Sequence, residues 1–327
     1  MTPTRRRLLT TALAAGATLG LAPVMKAPAL RAQDRLNVVA TTGMIADAAR
    51  FILGDAGEVR ALMGPGVDPH AFRQTRSDIV AMTRADLTLW HGLYLEAQME
   101  EFLLNLARRR SVVPVADRID PALLLSHPDY DGRFDPHVWM VPEIWSHVVA
   151  SIADALQEAQ PDLAPTFEAR ATEYRDTVAA LHAYATDVLS TVPEDSRVLV
   201  TAHDAFSYFG RAYGFEVLGI QGISTESEAG LNRIRDLVDT LVTRRIGAVF
   251  VETSVSDRNM RALIEGAAAR GHKVTIGGEL YSDAMGEPGT YEGTYPGMID
   301  HNVTTIARAL GGTAPEKGRI GQLGAAG

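Results

Sequence analysis

Two runs of strand–helix alternation, separated by one long amphipathic helix, predict an α/β protein of two lobes. Each lobe is expected to hold a four-stranded, mainly parallel sheet flanked by helices, with the long helix joining them. The first run spans 36–114, the second 197–310, and the helical stripe between them covers 164–190. Polar side chains also fall just beyond strand ends in both runs, the edge at which open α/β sheets bind ligands. A chain of 327 residues with 46% hydrophobic content can fill the cores of two such lobes.

In chain order, residues 1–29 read as an export signal of the twin-arginine type. Thr4–Arg5–Arg6–Arg7–Leu8–Leu9 leads into an apolar run to about Val24, and Ala27–Pro28–Ala29 supplies small residues for cleavage, with Ala32 a second option. Glycines and Pro23 interrupt that run, which is shorter than the ~20 residues of a membrane span. The expectation is a cleaved signal and no membrane anchor.

The N-terminal lobe is assigned to 35–160. Strands are expected at 36–40, 58–63, 87–90 and 111–114, where β-branched and large apolar residues cluster, and helices at 44–53, 77–83 and 96–108. A loop from about 116 to 137 precedes a helix at 143–160. The linking helix is assigned to 161–191. Its apolar positions Phe167, Ala171, Tyr174, Val178, Leu181, Ala185 and Val188 alternate steps of four and three, a sustained stripe on one face. From 164 to 190 it would run roughly 40 Å at ~1.5 Å per residue. The C-terminal lobe, 192–311, repeats the alternation. Strands are expected at 197–201, 216–219, 248–252 and 273–276, and helices at 205–213, 231–244, 259–270 and 294–310. The glycine-rich tail, 312–327, is expected to be flexible.

Composition narrows the function. The chain has no cysteine, which excludes disulfides, thiolate ligands, a cysteine nucleophile and a lipid-modified cysteine. Residues 1–29 hold Arg5, Arg6, Arg7, Lys26 and no acidic group, so cleavage leaves 27 basic against 40 acidic residues, a net charge of −13. No basic block survives, which disfavours nucleic-acid binding. The expected product is a soluble monomer, most simply in a bacterial periplasm.

The chemistry centres on a repeated tripeptide. Leu62–Met63–Gly64–Pro65–Gly66–Val67–Asp68–Pro69–His70 ends in Asp-Pro-His, which returns as Asp135–Pro136–His137 within a stretch closing on Val138–Trp139–Met140. Proline fixes its own φ and extends the residue before it, so each histidine is presented from a stiffened loop. His70 follows the second strand and His137 the fourth; His203 follows the first strand of the second lobe, and Asp283 its last. Three imidazoles and a carboxylate, two donors per lobe on one edge of the fold, would complete a shell for a divalent metal. Zinc is favoured, because manganese prefers oxygen-rich shells, with manganese or iron as the alternative. His91 could line the cleft or orient a ligand, and His127 could assist metal entry; His147, His182, His272 and His301 read as ordinary helix or loop residues. Asp68 and Asp135 read as loop caps, and Trp139 and Phe206 as walls of the site.

The chain resembles the metal-binding receptors of bacterial ABC importers, the zinc/manganese (cluster A-I) solute-binding family. The resemblance rests on Thr41–Thr42–Gly43–Met44–Ile45–Ala46–Asp47, Leu62 to His70, Phe134 to Met140, Val200 to Phe209, Gln221–Gly222–Ile223–Ser224–Thr225 and Gly277 to Met285. It implies two α/β lobes, a rigid linking helix, and metal bound between the lobes by His70, His137, His203 and Asp283. It also implies zinc as transported cargo, with manganese possible, and as partners a membrane permease with its ATPase. Histidine as third ligand is similar to the treponemal-type receptors, whereas typical manganese receptors place glutamate there. Two features depart from the family. Many zinc-specific relatives carry a long His/Asp/Glu-rich loop before the second ligand, here short and holding only His127, and many relatives are lipoproteins. The rival class is a zinc-dependent hydrolase. The chain has no His-Glu-x-x-His, neither Ser207 nor Ser224 lies in a nucleophile motif, and four protein ligands leave no position for a reactive water.

Overall fold

The computed structural model describes residues 35–126, 131–226 and 229–324. The expected export signal lies outside the described residues.

The first four strands, β1 (Leu36–Ala40), β2 (Gly57–Ala61), β3 (Leu87–Trp90) and β4 (Val112–Pro114), form one all-parallel sheet in the order β2-β1-β3-β4. Parallel strands covered on both faces are apolar throughout, and β3 is buried at all four residues. The crossovers are α1 (Gly43–Leu53), α2 (Arg76–Arg84) and α3 (Glu100–Ala107). A capping box sets the start of α2: the Thr75 hydroxyl accepts from the Asp78 amide while the Asp78 carboxylate accepts from the Thr75 amide.

One expected helix start moves. Sequence pattern opens α3 at 96, but the regular helix begins at Glu100. Gly92, Leu93 and Tyr94 all take positive φ, and the Glu96 carboxylate turns inward to accept from the His91 and Gly92 amides. Those bonds satisfy backbone groups ahead of the helix and delay its first turn.

The helices α4 (Pro142–Ala159) and α5 (Ala164–Ser190) pack along each other, and α5 also contacts α1. All seven residues of the α5 stripe are buried. Beyond α5 come β5 (Val198–Thr201), α6 (Ser207–Tyr213), β6 (Glu216–Gly219), α7 (Leu231–Arg244), β7 (Ala248–Glu252), α8 (Arg258–Ala269), β8 (Thr275–Leu280) and α9 (Tyr295–Ala309), the last of which also lies on α5. Their strands are again parallel, but they pair as β5-β6 and β7-β8, with β5 beside β7 and no ladder between them. The register shifts between Val249 and Phe250, where Gly277 is the extra residue, a bulge that adds local twist to β8. The spatial order β6-β5-β7-β8 repeats the β2-β1-β3-β4 order of the first half.

The expected flexible tail is partly tied down. The Asp300 carboxylate accepts from the Arg319 amide, Leu323 is buried, and the Glu292 carboxylate accepts from the Gly324 amide. The glycines suggest flexibility in the sequence; the anchors are long-range partners on and beside α9.

The principal core runs without a break from α1 through α4 and α5 to α9, so both halves share it. At its centre the Asp47 carboxylate of α1 accepts from the Tyr174 hydroxyl of α5 (2.7 Å) and from the Tyr295 amide that opens α9 (3.0 Å). Replacing Asp47 by Ala strands two buried donors. A loss of about 1–3 kcal/mol in unfolding free energy is expected by urea denaturation, with metal binding still measurable in the folded fraction.

Candidate metal centre

The carboxyl ends of the parallel strands converge on one edge, and the loops leaving them carry the polar residues inward. In both Asp-Pro-His tripeptides the aspartate folds back on its own loop. Asp68 Oδ1 accepts from the His70 amide (2.9 Å), and Asp135 Oδ1 accepts from both the amide (2.9 Å) and Nδ1–H (2.8 Å) of His137. This is the Asx-turn behaviour of aspartate, and it leaves Nε2 as the outward atom of His137. His203 leaves β5 two residues past its end. Its amide donates to Glu252 Oε1 (2.9 Å) and its Nδ1–H to Glu252 Oε2 (2.5 Å).

The structure brings His70, His137, His203 and Asp283 together, all buried, with one donor atom from each within 4.8 Å of every other. His137 Nε2 lies 3.2 Å from His70 Nε2, 3.3 Å from His203 Nε2 and 3.4 Å from Asp283 Oδ1, while His203 Nε2 lies 3.4 Å from Asp283 Oδ2. A tetrahedral ion with 2.0–2.1 Å bonds, the zinc–imidazole range, has donor–donor edges of about 3.3 Å. The His137 contacts to His70, His203 and Asp283 Oδ1 are close to that edge, as is the His203 contact to the other oxygen, Asp283 Oδ2, and the remaining donor pairs lie within 4.8 Å. Asp283 Oδ1 is buried and accepts no hydrogen bond, the orphaned acceptor that a cation would satisfy.

Electrostatics follow from the carboxylates behind the rings. Burial disfavours the imidazolium of His137, but Asp135 and Asp283 outweigh it and push His137 up to about 9. Burial likewise opposes charge on His203, while Glu252 and Asp283 raise it well above the usual imidazole range. Burial alone would raise Asp283, yet His203 and His137 hold it well below the normal carboxylate range.

His91 is not in the cluster. Its Nε2–H donates to the Pro136 carbonyl (2.8 Å), its ring meets the edge of Trp139, and burial lowers its pKa to about 3. It therefore anchors the second Asp-Pro-His loop as a neutral ring. Behind it, Glu96 accepts from the His91 and Gly92 amides and from Thr41 Oγ1 (2.6 Å); burial still pushes Glu96 up to about 7. Trp139 and Phe206 are fully buried, and Trp139 Nε1–H donates to the Ser282 carbonyl next to Asp283. His127 lies outside the described residues. His182 bonds with the Tyr213 hydroxyl, His272 with the Ile246 carbonyl and His301 with the Glu279 carbonyl, all away from the cluster. Sequence reasoning missed Glu252 and Glu96. An apolar strand, Ala248–Val249–Phe250–Val251, that ends in a carboxylate was the available signal for Glu252.

Parallel sheets whose carboxyl ends deliver four buried donors to one point define a class of α/β protein that holds a small ligand between two halves. Residues 38–309 match the family described as "Zinc-uptake complex component A periplasmic" (ZnuA), and the chain belongs to that family. Among its relatives, the manganese-binding lipoprotein MntA of Bacillus subtilis is 47% identical over 280 residues, covering 85% of this chain and 91% of MntA. The zinc-binding protein TroA of Treponema pallidum is 42% identical over 306 residues, covering 94% of this chain and 99% of TroA. The iron-binding protein YfeA of Yersinia pestis is 34% identical over 278 residues, covering 85% and 87%. The solved structure of the periplasmic zinc-binding protein TroA superposes with a TM-score of 0.82 at 44% identity, covering 84% of this chain and 99% of that one. No helix among the described residues is long and apolar enough to cross a membrane.

The buried, neutral state of His91 makes its contribution to stability pH-dependent. A base whose folded pKa is depressed contributes stability that is complete above its unfolded pKa of ~6.5 and lost as pH falls toward 3. In His91→Phe that slope disappears. The variant is expected to be less stable than the parent at pH 8, with the gap closing as pH drops to 5, measured by urea denaturation of the metal-free protein.

Proposed function

We propose that this protein is the extracytoplasmic receptor of an ABC importer and that His70, His137, His203 and Asp283 bind one divalent metal ion, zinc, as cargo. The observation that carries the reading is the buried convergence of three imidazoles and one carboxylate, with donor atoms within 4.8 Å of one another and His137 Nε2 3.2–3.4 Å from the other three. The relatives are named for manganese, zinc and iron, so likeness alone does not choose the metal; the nitrogen-rich donor set supports zinc. Manganese is the second reading, favoured by the 47% identity to a manganese-binding relative.

Four protein donors fill a tetrahedral shell and leave no site for an activated water, which suits carrying an ion rather than hydrolysis. The protein is not an enzyme on this reading. It is exported by its signal, cleaved near residue 29, and works in the periplasm as a monomer. With no cysteine to take a lipid it is free of the membrane, and it delivers its ion to a permease driven by an ATPase. The lobes are 35–160 and 192–311, with 161–191 as the link and the ion between them.

A competition titration with zinc and manganese tests the assignment. Stoichiometric zinc binding that manganese cannot displace at equal concentration is expected; manganese equal to or tighter than zinc would overturn the choice of metal. His203→Ala should weaken zinc by about two orders of magnitude or more, since loss of a ligand exceeds the 10–100-fold cost of losing a ligand's supporting group. Unchanged affinity would remove the site.

Protons compete with the ion for imidazole, so affinity falls as pH falls. Because neighbouring carboxylates hold His137 up to about 9, the decline should begin well above the ~6.5 of a free imidazole and continue to pH 5. Zinc affinity measured across pH 9 to 5 and found flat would contradict this site.

A further inference from the structure

We propose that Glu252 is the positioning residue that fixes the tautomer of His203 and so aims its Nε2 lone pair at the ion. The inference rests on the four-donor reading of the metal centre given above and adds to it a residue that makes no contact with the ion.

Glu252 closes β7, and the neighbouring β5 delivers His203, so the packing of those two strands side by side sets the carboxylate against the start of the His203 loop. Both groups are buried. The two carboxylate oxygens have separate duties. Oε1 takes the His203 amide and Oε2 takes the ring Nδ1. A carboxylate only accepts, so Nδ1 keeps a hydrogen and, once the ion displaces the second proton, Nε2 is the nitrogen left to offer a lone pair. That atom faces His137 Nε2 at 3.3 Å and Asp283 Oδ2 at 3.4 Å, on the ion's side of the ring. A ligating histidine whose second nitrogen donates to a carboxylate is held in orientation and made a better donor.

The division of labour makes the role separable from charge. In Glu252→Gln one oxygen becomes an NH2. The His203 amide is an obligate donor and claims the remaining oxygen. The NH2 then faces Nδ1, which must become an acceptor, and the hydrogen moves to Nε2, where it blocks the ion. Asp135 supports His137 differently, because Oδ1 alone takes both the amide and Nδ1, while Oδ2 has no hydrogen-bond partner. Asp135→Asn can therefore keep its oxygen on both donors and leave His137 with its hydrogen on Nδ1. Both variants remove one negative charge beside one imidazole, but only the first reverses a tautomer.

The test pairs zinc affinity with long-range 1H–15N spectra of the imidazole rings. In the wild-type zinc complex, His203 is expected to carry hydrogen on Nδ1 and coordinate through Nε2. Coordination through Nδ1 would overturn the proposal whatever the variants do. Metal-free Glu252→Gln should place the hydrogen on Nε2 and bind zinc roughly 10–100-fold more weakly than wild type. Asp135→Asn should retain Nδ1–H on His137 and lose less affinity. Equal losses in the two variants with Nδ1–H retained in Glu252→Gln would reduce Glu252 to a charge effect and overturn its role. His203→Ala separates the two readings. If that variant still binds zinc tightly, the metal centre itself is misassigned; if it fails while Glu252→Gln binds as wild type, only the positioning role falls. Should Glu252→Gln not fold, the wild-type spectrum still decides.

Discussion

Three imidazole nitrogens and a carboxylate, buried and held within van der Waals contact, are the constraint around which this structure is arranged. Burying these groups 3.2–3.4 Å apart costs desolvation, and without an ion the neighbouring carboxylates offset it by holding protons on His137 and His203. The fold tolerates the arrangement because each element behind the cluster supplies a counterweight. Asp135 backs His137, Glu252 backs His203, and Ser254 donates to Asp283 Oδ2 (3.1 Å). The negative groups gathered there favour a divalent cation over a neutral or anionic guest, and their number exceeds what the four donors alone would supply.

The second determinant is the continuous core along α5. Two α/β lobes joined by flexible strands could open widely, but here α1, α4, α5 and α9 form one packed body that both halves share. Smaller separate cores serve the outer parts of each half. The packed body ties the two halves together along α5, and the polar loops at the strand ends lie outside it.

Much of this was legible in the sequence because the residues that matter are local signals. The Asp-Pro-His repeat advertises itself by proline chemistry. His203 follows an apolar strand run directly, whereas Asp283 lies beyond β8, whose glycine-rich sequence runs four residues past its expected end at 276. The linking helix is readable to its last residue because its apolar spacing never slips. What stayed hidden was long-range. Nothing in Trp90–His91–Gly92–Leu93–Tyr94–Leu95–Glu96 tells that Glu96 will turn back to its own loop and shorten α3. Nothing near Glu252 names His203, 49 residues away, as its partner. The absence of a ladder between β5 and β7, and the hold of Asp300 on the tail, likewise depend on packing across the fold rather than on propensity.

Asp68 has two oxygens and two employers. Oδ1 holds the amide of His70, while Oδ2 takes the hydroxyl of Thr225 (2.5 Å), which belongs to the other half of the molecule. The bond that seals the cleft and the bond that shapes the first ligand loop thus meet on one side chain. If Thr225 lets go, the carboxylate is free to rotate and His70 loses its backbone support in the same event. The contact between the halves and the backbone support of the first histidine loop are thus mechanically one element on that flank, and neither can shift without the other.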